Sequence, residues 1–151
     1  MKRNIFIAGL LCSAVICAGG MATARQAAQT SDTRECMRNF SYEGSFWSGR
    51  IFKTHGVVQN VSKSVAVERA ARYLAGAGGW YINTIDKESG VISASQAVGY
   101  GKGKTNPLNI SIESVKNGVN VSISWSSSSH EIARGQMIQN TFCSIIEAIG
   151  K

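Results

Sequence analysis

The chain has a single proline, Pro107, only two histidines, and nine acidic residues against sixteen basic ones. One proline excludes a polyproline or collagen-like architecture. Two histidines leave little for a histidine-based metal site, and no spacing of His, Cys, Asp or Glu matches a known metal-ligand pattern. Too few oxygen ligands surround the one acidic turn, Asp86 to Gly90, to form a calcium loop. The chain also lacks a long apolar run after its first residues, so no later segment has the roughly 20 apolar residues that a membrane-crossing helix needs. We expect no cofactor and no metal.

The apolar run that does exist lies at the start. Lys2 and Arg3 precede an apolar stretch from Ile5 to Ala18, and Ala22-Thr23-Ala24 supplies the small-x-small residues of a signal-peptidase site. Residues 1–24 therefore read as a signal peptide, residues 25–40 as a leader, and residues 41–151 as one domain. Cys12 and Cys17 follow Leu11 and Ile16, whereas lipoprotein processing requires a small residue there. Cleavage after Ala24 leaves 127 of the 151 residues, and the net charge falls from +7 to +5 as Lys2 and Arg3 depart. The product is expected in the periplasm or outside the cell, with a moderately basic surface that suits an anionic cell-surface polymer or an envelope protein as partner. The four Asn-x-Ser sequons, at Asn39, Asn60, Asn109 and Asn120, carry no meaning in a bacterial periplasm.

Two of the four cysteines survive cleavage. Cys36 and Cys143, far apart in an exported chain, are expected to form one disulfide that ties the leader to the last helix.

Periodicity supplies the rest. Asp32 to Phe40 is expected to make a short helical turn carrying Cys36 inward, and Ser41 to Ser48 an irregular approach. Arg50 to Val58 alternates as a first strand. Ser62 is placed to cap a helix through Ala75, with Ala66, Ala70, Tyr73, Leu74 and Ala77 on one face, Glu68 and Arg72 spaced as an ion pair, and three glycines after it. Trp80 to Ile85 and Val91 to Val98 flank the charged turn Asp86 to Gly90 as a hairpin. Leu108, Ile110 and Ile112, then Val119, Val121, Ile123 and Trp125, alternate with Ser and Asn around Lys116-Asn117-Gly118, a second hairpin with one polar face. Ser128 and Glu131 have the spacing of a capping box, and Ile132, Ile138, Phe142, Ile145 and Ile149 follow at helical spacing. The fold expected is α+β, a two-layer sandwich of order β-α-β-β-β-β-α: a five-stranded antiparallel sheet with both helices on one face.

The Gly79-Trp80 entry and the turn from Asp86 to Ala94, within the succession from Arg50 to Trp125, resemble several families of uncharacterised bacterial envelope domains. The layout is also similar to the helix-grip domains of the outer-membrane assembly lipoprotein BamC. That resemblance implies an envelope binding or interaction domain and brings no catalytic residues.

Four groups of residues could carry chemistry. Gly103-Lys104-Thr105 matches the end of a phosphate-binding loop, but Val98 stands where that loop needs glycine and Pro107 and a strand follow, so no nucleotide is expected. His55 and His130, with Lys53, have the residue types of a secreted ribonuclease, one imidazole as base and the other as acid. This hydrolase is the alternative to a non-enzymatic binding domain. Asp86 and Glu88 sit too close together to flank a sugar bond and are better explained as turn residues. Tyr100, with Lys102 and Lys104 beside it, lies in a glycine-rich loop and offers an aromatic and basic surface, as Trp47 does in its own loop. Trp80 and Trp125 are in phase with the core. The candidate binding residues are therefore Tyr100, Lys102 and Lys104.

Overall fold

The computed structural model describes residues 35–77, 79–99 and 103–151. Residues 1–34, and with them the expected signal peptide and most of the expected leader, lie outside these residues, as do Tyr100 and Lys102. Residues 35–38 are helical. There follow β1 (Ser41–Ser45), β2 (Gly49–Gln59), α1 (Lys63–Gly76), β3 (Tyr81–Asp86), β4 (Val91–Ala97), β5 (Thr105–Val115), β6 (Gly118–Ser127) and α2 (Gly135–Gly150). All six strands form one antiparallel sheet in the order β1-β2-β6-β5-β4-β3. β2 pairs with β6 from Arg50↔Ser127 to Gln59↔Gly118, so two strands distant in the chain meet inside the sheet.

Strand alternation decides which face is covered. Phe52 and Val58 of β2, Ile92 of β4, Leu108, Ile110 and Ile112 of β5, and Val119 to Trp125 at alternate positions of β6 are all buried. α1 adds Ala66, Val67, Ala70 and Leu74 to this core, and α2 adds Phe142, Cys143, Ile145, Ile146 and Ile149. α1 packs across β3 to β6, α2 packs on β2, and the helices pack on each other, so both cover one face of the sheet. Arg69 Nη1 donates to Ile149 O at 2.8 Å, giving a carbonyl of the last α2 turn the partner that the helix itself cannot provide. Lys53, His55, Asn109, Ser111, Ser122 and Ser124 belong to the opposite, polar phase.

The expected cap and turns are present. Ser62 Oγ accepts from Val65 N at 3.5 Å, and Arg72 Nη2 meets Glu68 Oε1 at 2.7 Å. Asp86 Oδ1 accepts from Glu88 N and Ser89 N, both at 3.0 Å. Those backbone donors, Ser89 first, hold the Asp86 carboxyl below its ordinary value. Gly90 has φ +82, and a Cβ there would lie 2.2 Å from Ile112 O, so no other residue fits the turn. Lys63 Nζ reaches Glu88 O and ties the turn to α1. Cys36 and Cys143 are disulfide-bonded, with Cα atoms 5.6 Å apart.

Three expectations are corrected. The sheet has six strands and not five, because Ser41 to Ser45 pairs with Gly49 to Lys53 as an edge strand. All five residues of β1 are exposed, so the strand exists through its ladder and leaves no alternating apolar signal. The hairpin around Asn117 has Lys116 and Asn117 as its loop, with Gly118 already paired to Val115.

The third correction concerns the start of α2, which is at Gly135, not after Ser128. Half of the capping box does form, since Ser128 N donates to Glu131 Oε2 at 3.1 Å. The other half fails because Ser128 Oγ donates to Asn106 Oδ1 instead, and because His130 has φ +65, outside any right-handed helix. His130 is held there by its N–H to Phe46 O at 2.7 Å and by edge contacts with the Phe46 and Trp47 rings. Ile132 consequently stands 82% exposed instead of heading the buried stripe of α2.

Candidate functional site

Residues 128–134 leave the sheet at the end of β6 and reach α2 without forming a helix, and this detour opens a pocket of about 280 Å³. Trp125 and Phe142 face it from the core, Trp80 and Gln96 from the β3–β4 side, and Met137, Ile138 and Thr141 from α2. Residues 131–134 form its rim. The volume is just below the usual range of about 300–1,000 Å³ for small-molecule sites, and the mix of aromatic walls with a few polar groups is theirs.

The detour is anchored by Asn106, which is 1% exposed. Its Oδ1 accepts from Ser128 N and from Ser128 Oγ, both at 3.1 Å, and its Nδ2 donates to Glu131 Oε2 at 2.6 Å. The Glu131 carboxylate is thus committed to Asn106 and to Ser128 N.

One polar atom of a wall residue is unpaired among the described residues. Trp125 is 6% exposed, and its Nε1–H is buried beneath the surface with no hydrogen-bond acceptor among them. A buried indole N–H normally finds a partner, and an orphaned donor costs about 1–3 kcal/mol. A second unpaired buried donor, Arg50 Nε, lies nearby on the same face: Arg50 pairs with Ser127 and Phe52 with Trp125. The Arg50 guanidinium lies 5.8 Å from the centroid of the Tyr42 ring. α2 opens toward the pocket without a side-chain cap and without an acidic residue in its first turn.

The candidates drawn from the sequence fall elsewhere. His55 lines a polar hollow of about 430 Å³ on the open face of the sheet, with Lys53, Asn109, Ser122 and Ser124. His130 lies beyond the end of β6 against Phe46 and Trp47. Since β2 position 50 is the partner of Ser127, His55 is five residues back along the strand from that end, about 17 Å away. The two imidazoles do not share a site. Lys104 borders a third hollow with Ser128, Ser129 and His130, and its carbonyl accepts from Val98 N. Asp86 and Glu88 build the turn already described. Trp47 is 73% exposed, whereas Trp80 is only half-buried at the pocket wall.

The chain is similar in fold to Ara h 8.0201. The crystal structure of that protein superimposes with a TM-score of 0.50 at 11% identity, over 73% of this chain and 96% of the other. A conserved protein of unknown function from Enterococcus faecalis gives a TM-score of 0.49 at 6% identity, over 83% of this chain and 80% of that one. No protein-family model matches the chain. No curated protein sequence matches it either. The likeness to Ara h 8.0201 concerns the fold alone.

The pocket residues were hidden from the sequence for a simple reason. Trp80, Gln96, Trp125 and residues 131–142 come from four separate segments, and Trp125 reads as an ordinary core position.

Proposed function

We propose that this protein is an exported, non-catalytic binding domain of the bacterial envelope, and that it holds a small amphipathic molecule in the pocket between Trp125 and the first turns of α2. The observation carrying this reading is the pocket itself, about 280 Å³ in volume, in which the aromatic and aliphatic walls of Trp80, Trp125, Met137, Ile138 and Phe142 stand beside the polar groups of Gln96 and Thr141. The polar part of an amphipathic ligand would meet Gln96 and Thr141 while its apolar part displaces water from Trp80, Ile138 and Phe142. The basic and then apolar residues 1–24 and the Cys36–Cys143 disulfide support export to an oxidising compartment. The sheet wrapped on two helices and the likeness to Ara h 8.0201 support a helix-grip fold. The separation of His55 from His130 removes the support for two-histidine hydrolysis.

Intrinsic fluorescence tests the binding site, because two of the three tryptophans line it. Octan-1-ol and octanoate serve as probes. At least one should give a saturable change in the wild type that is lost in Ala133→Phe, which fills the pocket. No saturable change with either probe, or one that Ala133→Phe leaves intact, would refute the pocket. Intact mass of the exported product tests the signal peptide: the chain should begin at Arg25, and a mass that retains Met1 in the envelope fraction would refute export by cleavage.

A further inference from the structure

Three exposed apolar side chains stand together at the end of the molecule where the pocket opens. We infer that this end docks on a lipid bilayer carrying anionic head groups, with Trp47, Ile132 and Met137 entering the bilayer surface. Docking of this kind does not require the pocket to be filled.

The topology assembles this end from three segments. The turn between β1 and β2 carries Trp47, residues 128–134 after β6 carry Ile132, and the first turn of α2 carries Met137. Contacts link them. The Trp47 ring lies 5.3 Å from that of His130, and Ile132 and Met137 border the same pocket. Ile132, Trp47 and Met137, at 82%, 73% and 63% exposure, are three of the four most exposed large hydrophobic residues among those described. A single exposed apolar residue is ordinary, whereas a cluster marks an interaction surface.

This exposure is built into the fold. His130 N donates to Phe46 O at 2.7 Å, which ties the detour after β6 to the aromatic turn, and the Phe46, Trp47 and His130 rings brace one another edge to face. Asn106 holds the same detour through Ser128 and Glu131. The apolar tips are therefore already ordered, and docking them costs little further entropy.

Charge and area identify what covers the surface. Lys104 and Arg134 are exposed, each borders a hollow that Ile132 also lines, and neither has an ion-pair partner among the described residues. The nearby acids are engaged: Glu131 Oε2 accepts from Asn106 Nδ2 and Ser128 N, and Glu43 is paired with Lys53 at 2.7 Å. Asp86, Glu88 and Glu113 lie toward the opposite end, in or beside the β3–β4 and β5–β6 turns. The three apolar side chains offer on the order of 400 Å² of exposed surface, taking about 200 Å² for a whole large side chain. That is half of the roughly 800 Å² that each partner gives to a stable protein interface. A bilayer needs no matching surface. Tryptophan favours the membrane–water boundary, and the lysine and arginine beside it add attraction to anionic head groups. The pocket rim, residues 131–134, then faces the lipid.

Vesicle co-sedimentation of the exported protein is the test. Vesicles of equal parts phosphatidylethanolamine and phosphatidylglycerol should bind the wild type, and phosphatidylcholine vesicles should bind it at least about tenfold more weakly. Ile132→Ser and Met137→Gln should each weaken binding to the anionic vesicles by about tenfold, the loss of one buried apolar side chain, with the melting temperature unchanged. Lys104→Gln combined with Arg134→Gln should remove most of the preference for anionic lipid. Failure to bind the anionic vesicles, equal binding to phosphatidylcholine, or binding that both apolar variants leave intact would overturn the inference. So would a dimer in sedimentation velocity that Ile132→Ser dissociates, because a second copy would then occupy this surface. The octan-1-ol titration tests the pocket separately, so either reading can fail while the other stands.

Discussion

Asn106 is the residue on which the shape of the pocket depends, and Asn106→Ala has a magnitude that the structure defines. The side chain is 1% exposed and makes three hydrogen bonds, two to Ser128 at 3.1 Å and one to the Glu131 carboxylate at 2.6 Å. The two neutral bonds are worth about 1 kcal/mol each and the charge-assisted one about 1.5 kcal/mol, the low end of its range because Glu131 is only half-buried. Alanine should therefore cost about 3.5 kcal/mol. For a domain of this size that lowers the melting temperature by about 14 °C, since each kcal/mol corresponds to about 4 °C. Calorimetry of both proteins is the assay. Asn106→Asp supplies a second, sharper reading. It replaces the Nδ2 donor by a carboxylate oxygen facing Glu131 Oε2, and two carboxylates this close raise the pKa of one of them. A raised folded-state value means that the native state binds the extra proton, so this variant should be weakest at neutral pH and regain stability as the pH falls into the carboxylate range. A loss below about 1 kcal/mol for Asn106→Ala, which is within the scatter of ordinary surface changes, would refute the anchoring role. So would an Asn106→Asp protein with no recovery in acid.

Two further predictions address the scaffold. The Cys36–Cys143 bond spans 107 residues of sequence, and chain-entropy reasoning puts its contribution at about 4.7 kcal/mol as an upper figure. Cys36→Ala with Cys143→Ala should lower the melting temperature by about 12–19 °C at about 4 °C per kcal/mol, allowing for a realised 3 kcal/mol or more; unchanged melting on reduction would contradict the bond. The Asp86 carboxyl is held below its usual value by the Ser89 and Glu88 N–H groups, so its stabilisation is complete above the ordinary carboxylate pKa and disappears as the pH falls through the lowered one. Asp86→Asn should be less stable than the wild type at neutral pH, and the gap should close in acid; a gap independent of pH would refute this account of the turn.

The parts of this fold that were readable in the sequence are those where one local rule acts alone. Val119, Val121, Ile123 and Trp125 alternate with Ser and Asn because one face of β6 is covered, and the structure follows that pattern residue by residue. Ser62 and the Glu68–Arg72 pair behave as their spacing requires. Legibility ends where distant groups compete. Ser128 has the local signal for a helix cap, but Asn106, 22 residues earlier, takes its hydroxyl, and Phe46 takes the N–H of His130. β1 is a strand only because β2 offers it an edge. The pocket is a product of the same long-range competition, since it exists where the expected helix start was prevented. The aromatic and basic loop around Lys104 and the histidine pair attracted attention as residue types, whereas the site we favour is assembled from separate segments that residue types alone do not bring together.

The central claim is that the pocket lined by Trp80 and Trp125 holds an amphipathic ligand, and the indole NMR resonances of the tryptophans are the most direct witness. Each of the three tryptophans, Trp47, Trp80 and Trp125, gives one indole N–H signal, and Trp125→Phe assigns the relevant one by its disappearance. On titration with octanoate the Trp125 signal should shift and saturate as the pocket beside its ring fills, while the signal of the exposed Trp47 stays in place. A Trp125 resonance that remains still while octanoate saturates the protein would contradict the account.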